Sequence, residues 1–154
     1  MTGNIITNSS TNIVNWGFGD AGSIRISFTV DVNVVDETGT AINGATVAIT
    51  PTGTSENNNN FSVTTDANGD ITQQTLTTRI YTSSNPGGTT TTTTITNYNP
   101  FTLTVSKAGY KTYQIKNWTI DYTKYALKGI GLKITLPNNA SAANINLVPE
   151  MIEI

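Results

Sequence analysis

Between Ile24 and Val34 the chain reads Ile-Arg-Ile-Ser-Phe-Thr-Val-Asp-Val-Asn-Val, apolar at every even position and polar at every odd one. Successive side chains of an extended chain point to opposite faces, so this unbroken alternation specifies a long strand with one face in a core. No other stretch sets a sustained 3.6-residue apolar stripe against it, although Tyr122 to Leu127 has room for one helical turn. The fold class that follows is all-β.

Further strands are punctuated by turn residues. Asp36-Glu-Thr-Gly39 turns the chain, and Ala45-Thr-Val47-Ala-Ile49 alternates again before Pro51 and Gly53. A polar, Asn-rich loop over Ser55 to Asn60 leads into a short strand at Phe61-Ser-Val63. Asp66-Ala-Asn68-Gly69-Asp70 then has the residues of a tight hairpin, since Asn-Gly favours positive φ, and Ile71 to Tyr81 is expected to return as the partner strand. Six threonines run from Thr89 to Thr94 between Gly88 and Ile95. Such a run fits either low-complexity disorder or an edge strand, because β-branched threonine suits a half-exposed pleated surface. Phe101-Thr-Leu103-Thr-Val105, Tyr113 to Ile120 with Gly109 at the preceding turn, and Leu132-Lys-Ile134-Thr-Leu136 before Pro137 add three more strands. Short strands with turns between them describe a β-sandwich. Its core is expected to place Ile24, Ile26, Phe28, Val30, Val32 and Val34 against Val47, Ile49, Leu103, Val105 and Ile115.

Charge and composition exclude several classes of function. Across 154 residues there are 8 basic and 10 acidic side chains, which is not the basic footprint that binds phosphate backbones, so nucleic acid is not an expected partner. All the lysines lie between Lys107 and Lys133, while residues 1–106 hold Arg25 and Arg79 against seven acids. The chain has no histidine and no cysteine, which removes the commonest general base, thiolate chemistry, disulfides and Cys or His metal sites. Carboxylate pairs remain possible in principle, but the acids sit at turns such as Asp36-Glu37 and Asp66/Asp70, away from aromatic surroundings that would raise a pKa. No catalytic residue, cofactor or metal ligand is therefore expected. Asp66, Asn68 and Asp70 offer three oxygens at calcium-loop spacing; however, the glycine falls at the fourth position and Thr77 stands where the closing Glu belongs, so a hairpin turn is the better reading. A lysine–asparagine cross-link is not expected either, since no lysine precedes Lys107. No stretch reaches the length of about 18 apolar residues that crosses a bilayer.

Three motifs bring a family into view. Val32-Asn-Val34-Val-Asp36-Glu-Thr-Gly39-Thr-Ala-Ile42-Asn-Gly44-Ala45-Thr-Val47, Thr65-Asp66-Ala-Asn68-Gly69-Asp70-Ile71 and Val105-Ser-Lys107-Ala-Gly109-Tyr110 occur in that order. In this, residues 28–121 resemble the carboxypeptidase regulatory-like or transthyretin-like family of immunoglobulin-type sandwiches. The resemblance implies a seven-stranded Greek-key sandwich, used as a spacer, adhesive or interaction module on extracellular and phage virion proteins, without catalytic residues of its own. The expected organisation is an N-terminal arm over 1–23, a sandwich over 24–136 with a Thr-rich insertion at 83–99, and a C-terminal arm over 137–154.

The functional expectation from these readings is a non-enzymatic structural or assembly protein of a virion (capsid decoration, head fibre or tail-associated) or of another extracellular assembly. The alternative is a carbohydrate- or receptor-binding adhesive module, for which Tyr110, Tyr113, Trp118, Tyr122 and Tyr125 offer an aromatic concentration, although core packing accounts for most of these residues. Met1 is followed by neither the basic start nor the apolar stretch of a secretory signal, so either a leader has been removed or export is by another route, and a virion, extracellular or cell-surface location is expected. Asn8, Asn60, Asn117 and Asn139 open glycosylation triplets, but chance accounts for them in so Asn- and Thr-rich a chain, and no glycans are expected. In the tail, Ile145 and Leu147 alternate before Pro149 and the apolar Met151, Ile152 and Ile154, which suits an edge strand or arm. Docking of the ends on an adjacent subunit would make a homo-oligomer or a component of a larger assembly, whereas folding back would cover each subunit's own sandwich.

Overall fold

A computed structural model describes residues 22–52, 60–84, 92–120, 129–139 and 150–151. The N-terminal arm, the Asn-rich loop at 53–59, the segment 85–91, the proposed helical turn with Tyr122 and Tyr125, and most of the tail lie outside the described residues.

The alternating segment forms β1, Gly22–Asp36, a strand of 15 residues. The strands that follow are β2 (Thr46–Pro51), β3 (Phe61–Thr64), β4 (Gln74–Ser84), β5 (Thr92–Asn97), β6 (Phe101–Ser106), β7 (Tyr113–Trp118), β8 (Ile130–Leu136) and β9 (Glu150–Met151). They make two sheets, one of five strands in the order β5-β4-β1-β8-β9 and one of four in the order β3-β2-β6-β7. Among the described residues there is no helix, and the architecture is an all-β sandwich.

β1 is long enough to serve two partners. Its first part pairs antiparallel with β4, from Gly22 opposite Ser83 to Val30 opposite Gln74, with a bulge beside Ile26 and Ser27. Its second part pairs parallel with β8, from Val30 beside Ile130 to Asp36 beside Leu136. β8 enters at Gly129, whose φ is +72° and where a Cβ would fall 2.3 Å from the Thr29 hydroxyl. Only a residue without a side chain lets β8 begin that close to β1.

The core is the space between the two inner faces. Phe28, Val30, Val32, Val34, Leu76, Ile130, Leu132, Ile134 and Leu136 from one sheet and Val47, Ile49, Phe101, Leu103, Val105 and Tyr113 from the other are all buried in a single cluster. The expected pairing of faces holds for Phe28 to Val34 against Val47, Ile49, Leu103 and Val105. It weakens at the ends: Ile24 and Ile26, on the part of β1 that pairs with β4, and Ile115 of β7 are half-buried, with Ile26 and Ile115 still packed against the core.

One expected connection is different. The Asp66–Asp70 turn was expected to join two strands of a hairpin, but β3 pairs with β2 in one sheet, and β4 pairs with β1 and β5 in the other. The turn is a bridge between sheets. Locally it has the anticipated chemistry: the Asp66 carboxylate accepts from the amides of Asn68 (2.8 Å) and Asp70 (3.0 Å). Its far side is then taken by β1, as Val34 N–H donates to Gly69 O (2.8 Å) and Ile71 N–H to Val32 O (3.0 Å). Gly69 has φ +80° and a Cβ there would run into Val34 O, so the turn's positive φ and the backbone contact to β1 both require the glycine.

Two stability measurements check this packing. Phe28→Ala, in the closed part of the core, is expected to cost about 3–5 kcal/mol in urea unfolding, and Ile24→Ala, at the half-covered end, less than about 2 kcal/mol. Gly69→Ala is expected to cost about 2 kcal/mol or more, from both the positive φ and the clash with Val34 O.

Candidate functional site

The polar residues singled out from the sequence serve the turns. Asp36 Oδ1 accepts from the Thr38 amide (2.8 Å), the Thr38 hydroxyl (2.6 Å) and the Thr40 amide (2.9 Å). The Thr38 hydroxyl above all, with the backbone amides, holds the Asp36 carboxyl below its ordinary value of 3.8. Asp66 organises its own turn as described, and Asp70 Oδ1 accepts from Asn33 Nδ2 (2.7 Å), which also donates to Asn68 O (3.1 Å). Thus Asp66, Asn68 and Asp70, brought together as the sequence implied, are tied to backbone and to Asn33. Among the described residues no group of three or more His, Cys, Asp or Glu side chains gathers as a metal-holding set.

Around this turn the three motifs converge on one pole of the sandwich. The buried Thr65 hydroxyl donates to Ile42 O (2.6 Å) and accepts from Ala45 N–H (2.9 Å), and Lys107 Nζ donates to Gly44 O (3.2 Å). The aromatic group is divided. Tyr113 is buried, and burial raises its phenol pKa, while Tyr110 and Trp118 are half-buried against the core. A sugar-binding face through Tyr113 is therefore closed by packing; Tyr122 and Tyr125 lie outside the described residues.

The feature left without a partner strand among the described residues is the β5 edge. The threonine run becomes a strand, as one of its two readings anticipated, pairing Thr92 to Asn97 with Ser84 to Arg79 of β4. Its lower end is anchored: Tyr98 is fully buried, its amide donates to Thr78 O (3.0 Å), and the Asn99 side chain accepts from Ile120 N–H (2.9 Å) and donates to Ile120 O (3.0 Å). Beyond that anchor Thr92, Thr93, Thr94 and Ile95 are exposed. Ile95, at 57% exposure, is the exposed large apolar side chain among the described residues. Across the strands it lies in one row with Tyr81 and Ile24. Arg79, two residues from Tyr81, turns back on it, with Nη1 donating to the phenol oxygen (3.1 Å) and the guanidinium 6.0 Å from the ring centroid. The sequence signal that pointed here was a run of threonine without charge; what it did not show was that, among the described residues, no strand pairs with the outer side.

The other edges are shorter or interrupted. β3 has four residues, β7 carries exposed Lys116 beside Asn117 at φ 55°, and its pairing to β6 shifts register between Phe101 and Leu103. On the far side of the five-stranded sheet, Glu150 and Met151 pair with Lys133 and Leu132 of the same chain. This short described piece of the tail thus folds back onto its own sheet.

The chain matches no protein-family model, and no curated protein matches it. Solved structures that resemble it are dioxygenases. Catechol 1,2-dioxygenase from Acinetobacter radioresistens is 18% identical with a TM-score of 0.44, the match covering 79% of this chain and 55% of that one. 3-Chlorocatechol 1,2-dioxygenase from Rhodococcus opacus is 12% identical with a TM-score of 0.41, covering 73% and 60%. The chain therefore spans little more than half the length of these enzymes.

These matches correct the expectation of a non-enzymatic virion, capsid-decoration, phage or adhesive module, because the solved structures found are enzymes. The assignment to a virion or adhesion role and the exclusion of enzymatic activity are withdrawn. The physical reason is that strand patterns specify a scaffold, and one scaffold carries catalytic and non-catalytic functions alike. At these identities the likeness is one of fold, and dioxygenase activity remains a property of the neighbours.

The Asp36 loop supplies a pH test. A carboxyl whose folded pKa is depressed contributes stability in full above its unfolded value, and loses it as the pH falls through the folded value. Asp36→Asn keeps an acceptor oxygen without the charge. Its melting temperature is expected to lie below that of the wild type near neutral pH, and the gap to close as the pH is lowered through and below 3.8.

Proposed function

We propose that the chain is a strand-accepting interaction module of the carboxypeptidase regulatory-like or transthyretin-like class, working in an extracellular or surface setting through the open edge of β5. The class reading is supported by the motifs that carried the resemblance: Gly44-Ala45, Thr65 to Asp70 and Lys107 interlock through the Thr65 hydroxyl and the Lys107 ammonium at one pole. The setting comes from the same resemblance.

The observation that carries the binding reading is Ile95, 57% exposed on a strand whose described ladder has one neighbour only. An open edge offers unpaired amides and carbonyls to an extended segment, which gains main-chain hydrogen bonds from them and side-chain contacts from alternate positions. Charges, bulges and shortness protect such edges in other strands, and the β5 sequence Thr-Thr-Thr-Ile-Thr-Asn has none of these devices.

Fluorescence anisotropy with a labelled, end-capped Thr-Val-Thr-Val-Thr-Val peptide tests this reading. The wild type is expected to bind it, and Thr93→Pro to bind at least about tenfold more weakly, because proline at an outward-facing position removes an external donor while keeping the internal ladder. Absence of binding, or binding unchanged by Thr93→Pro in a folded protein, would overturn the proposal.

A further inference from the structure

The geometry of β5 also indicates what the edge accepts, an inference that rests on the strand-accepting reading. In an antiparallel ladder, directly opposed residues alternate between pairs that exchange hydrogen bonds and pairs that do not. Tyr98 N–H donates to Thr78 O, so that pair belongs to the bonded set. Counting in twos along the register, Thr96 bonds to Ile80 and Thr94 to Thr82. Thr93, Ile95 and Asn97 therefore turn their amides and carbonyls away from β4, off the edge of the sheet.

These three outward residues are symmetric about Ile95. A second β5 laid antiparallel, with Ile95 opposite the same residue of the second copy, places Thr93 opposite Asn97 and Asn97 opposite Thr93. Every outward amide and carbonyl of the three then finds a partner, about six hydrogen bonds in all. We propose that two copies of the chain join β5 to β5 about a two-fold axis through the Ile95 pair, making one continuous sheet from their five-stranded sheets.

Charge selects a second copy over another partner. Across a two-fold axis each side chain faces its own surroundings, so a charge near the axis meets its like. Thr92 to Asn97 carries no charge, and Arg79, the cation one strand in, is turned onto Tyr81. β7 lacks this property, since Lys116 stands exposed upon it. The apolar row supports the same register: Ile24, Tyr81 and Ile95 lie side by side on β1, β4 and β5, and the proposed pairing continues that row into its own image. The exposed Ile95 then acquires an apolar cross-strand neighbour.

Because the chain contains no cysteine, a single introduced thiol reports the pairing directly. Opposed residues of a bonded pair have Cα atoms about 5.5 Å apart, within disulfide range. Under a glutathione redox buffer, full-length Ile95→Cys is expected to form a covalent dimer at least tenfold faster than Thr96→Cys, whose thiols sit out of register with one another. Sedimentation equilibrium is expected to show a dimer for the wild type and a monomer for Ile95→Lys, with the circular dichroism of both unchanged. A wild type that stays monomeric at its highest soluble concentration, or equal rates for the two cysteine variants, would overturn the pairing. Peptide binding by such a monomer would leave the strand-accepting reading standing while removing the second copy as its occupant.

Discussion

The inner row of β1 is the contact on which the other elements depend. Phe28, Val30, Val32 and Val34 form one wall of the core, and the same strand lends its backbone to β4 and the residue 69–71 segment on one side and to β8 on the other. Removing apolar surface from water drives the two sheets together, but the position of each neighbour is set by backbone groups that must be paired once they are buried. Both requirements act on the same eleven-residue alternation from Ile24 to Val34. The long strand therefore acts as a spine, and the rest of the chain is placed relative to it.

At one pole the sparse polar residues perform a second task. Thr65, with its hydroxyl bonded on both sides, ties the Ile42–Ala45 turn to the start of the Asp66 turn, and Lys107 closes onto Gly44 from β6's end. Buried hydroxyls and half-buried ammonium groups are tolerated because each has a partner. In a chain with 12% charged residues, carboxylates such as Asp36 and Asp66 serve mainly to satisfy turn amides that no strand can reach.

The opposite end of the five-stranded sheet has a different character. There Ile24 and Ile26 of β1 are half-buried and Ile95 of β5 is exposed, while Ile80 and Tyr81 of the intervening β4 stay buried. Threonine makes this possible. Its β-branched side chain favours the extended backbone without needing a core, and its hydroxyl keeps an open strand compatible with water. Among the described strands, β5 therefore ends the sheet with β4 as its one neighbour.

Much of the fold was legible locally. The alternation of β1, the period-two patterns of β2, β6 and β8, and the Asx turns at Asp36 and Asp66 depend on neighbouring residues, and each is where the sequence placed it. What local pattern could not supply was which strands meet. The Asp66–Asp70 turn has hairpin chemistry, yet it carries the chain from one sheet to the other, because Gly69 and Ile71 find the backbone of β1 about 35 residues earlier in the sequence. Tyr113 was read within an aromatic concentration that core packing mostly explains, and it is buried between the sheets, but which of those aromatics pack inward was not legible from spacing alone. The exclusion of catalysis was drawn from the missing histidine and cysteine and from acids placed at turns, and residue inventory does not fix what a scaffold does. The openness of β5 belongs to the same class: six residues determine that the segment is extended and uncharged, but whether an edge is covered depends on every other strand's choice of partner, and only the folded chain decides that.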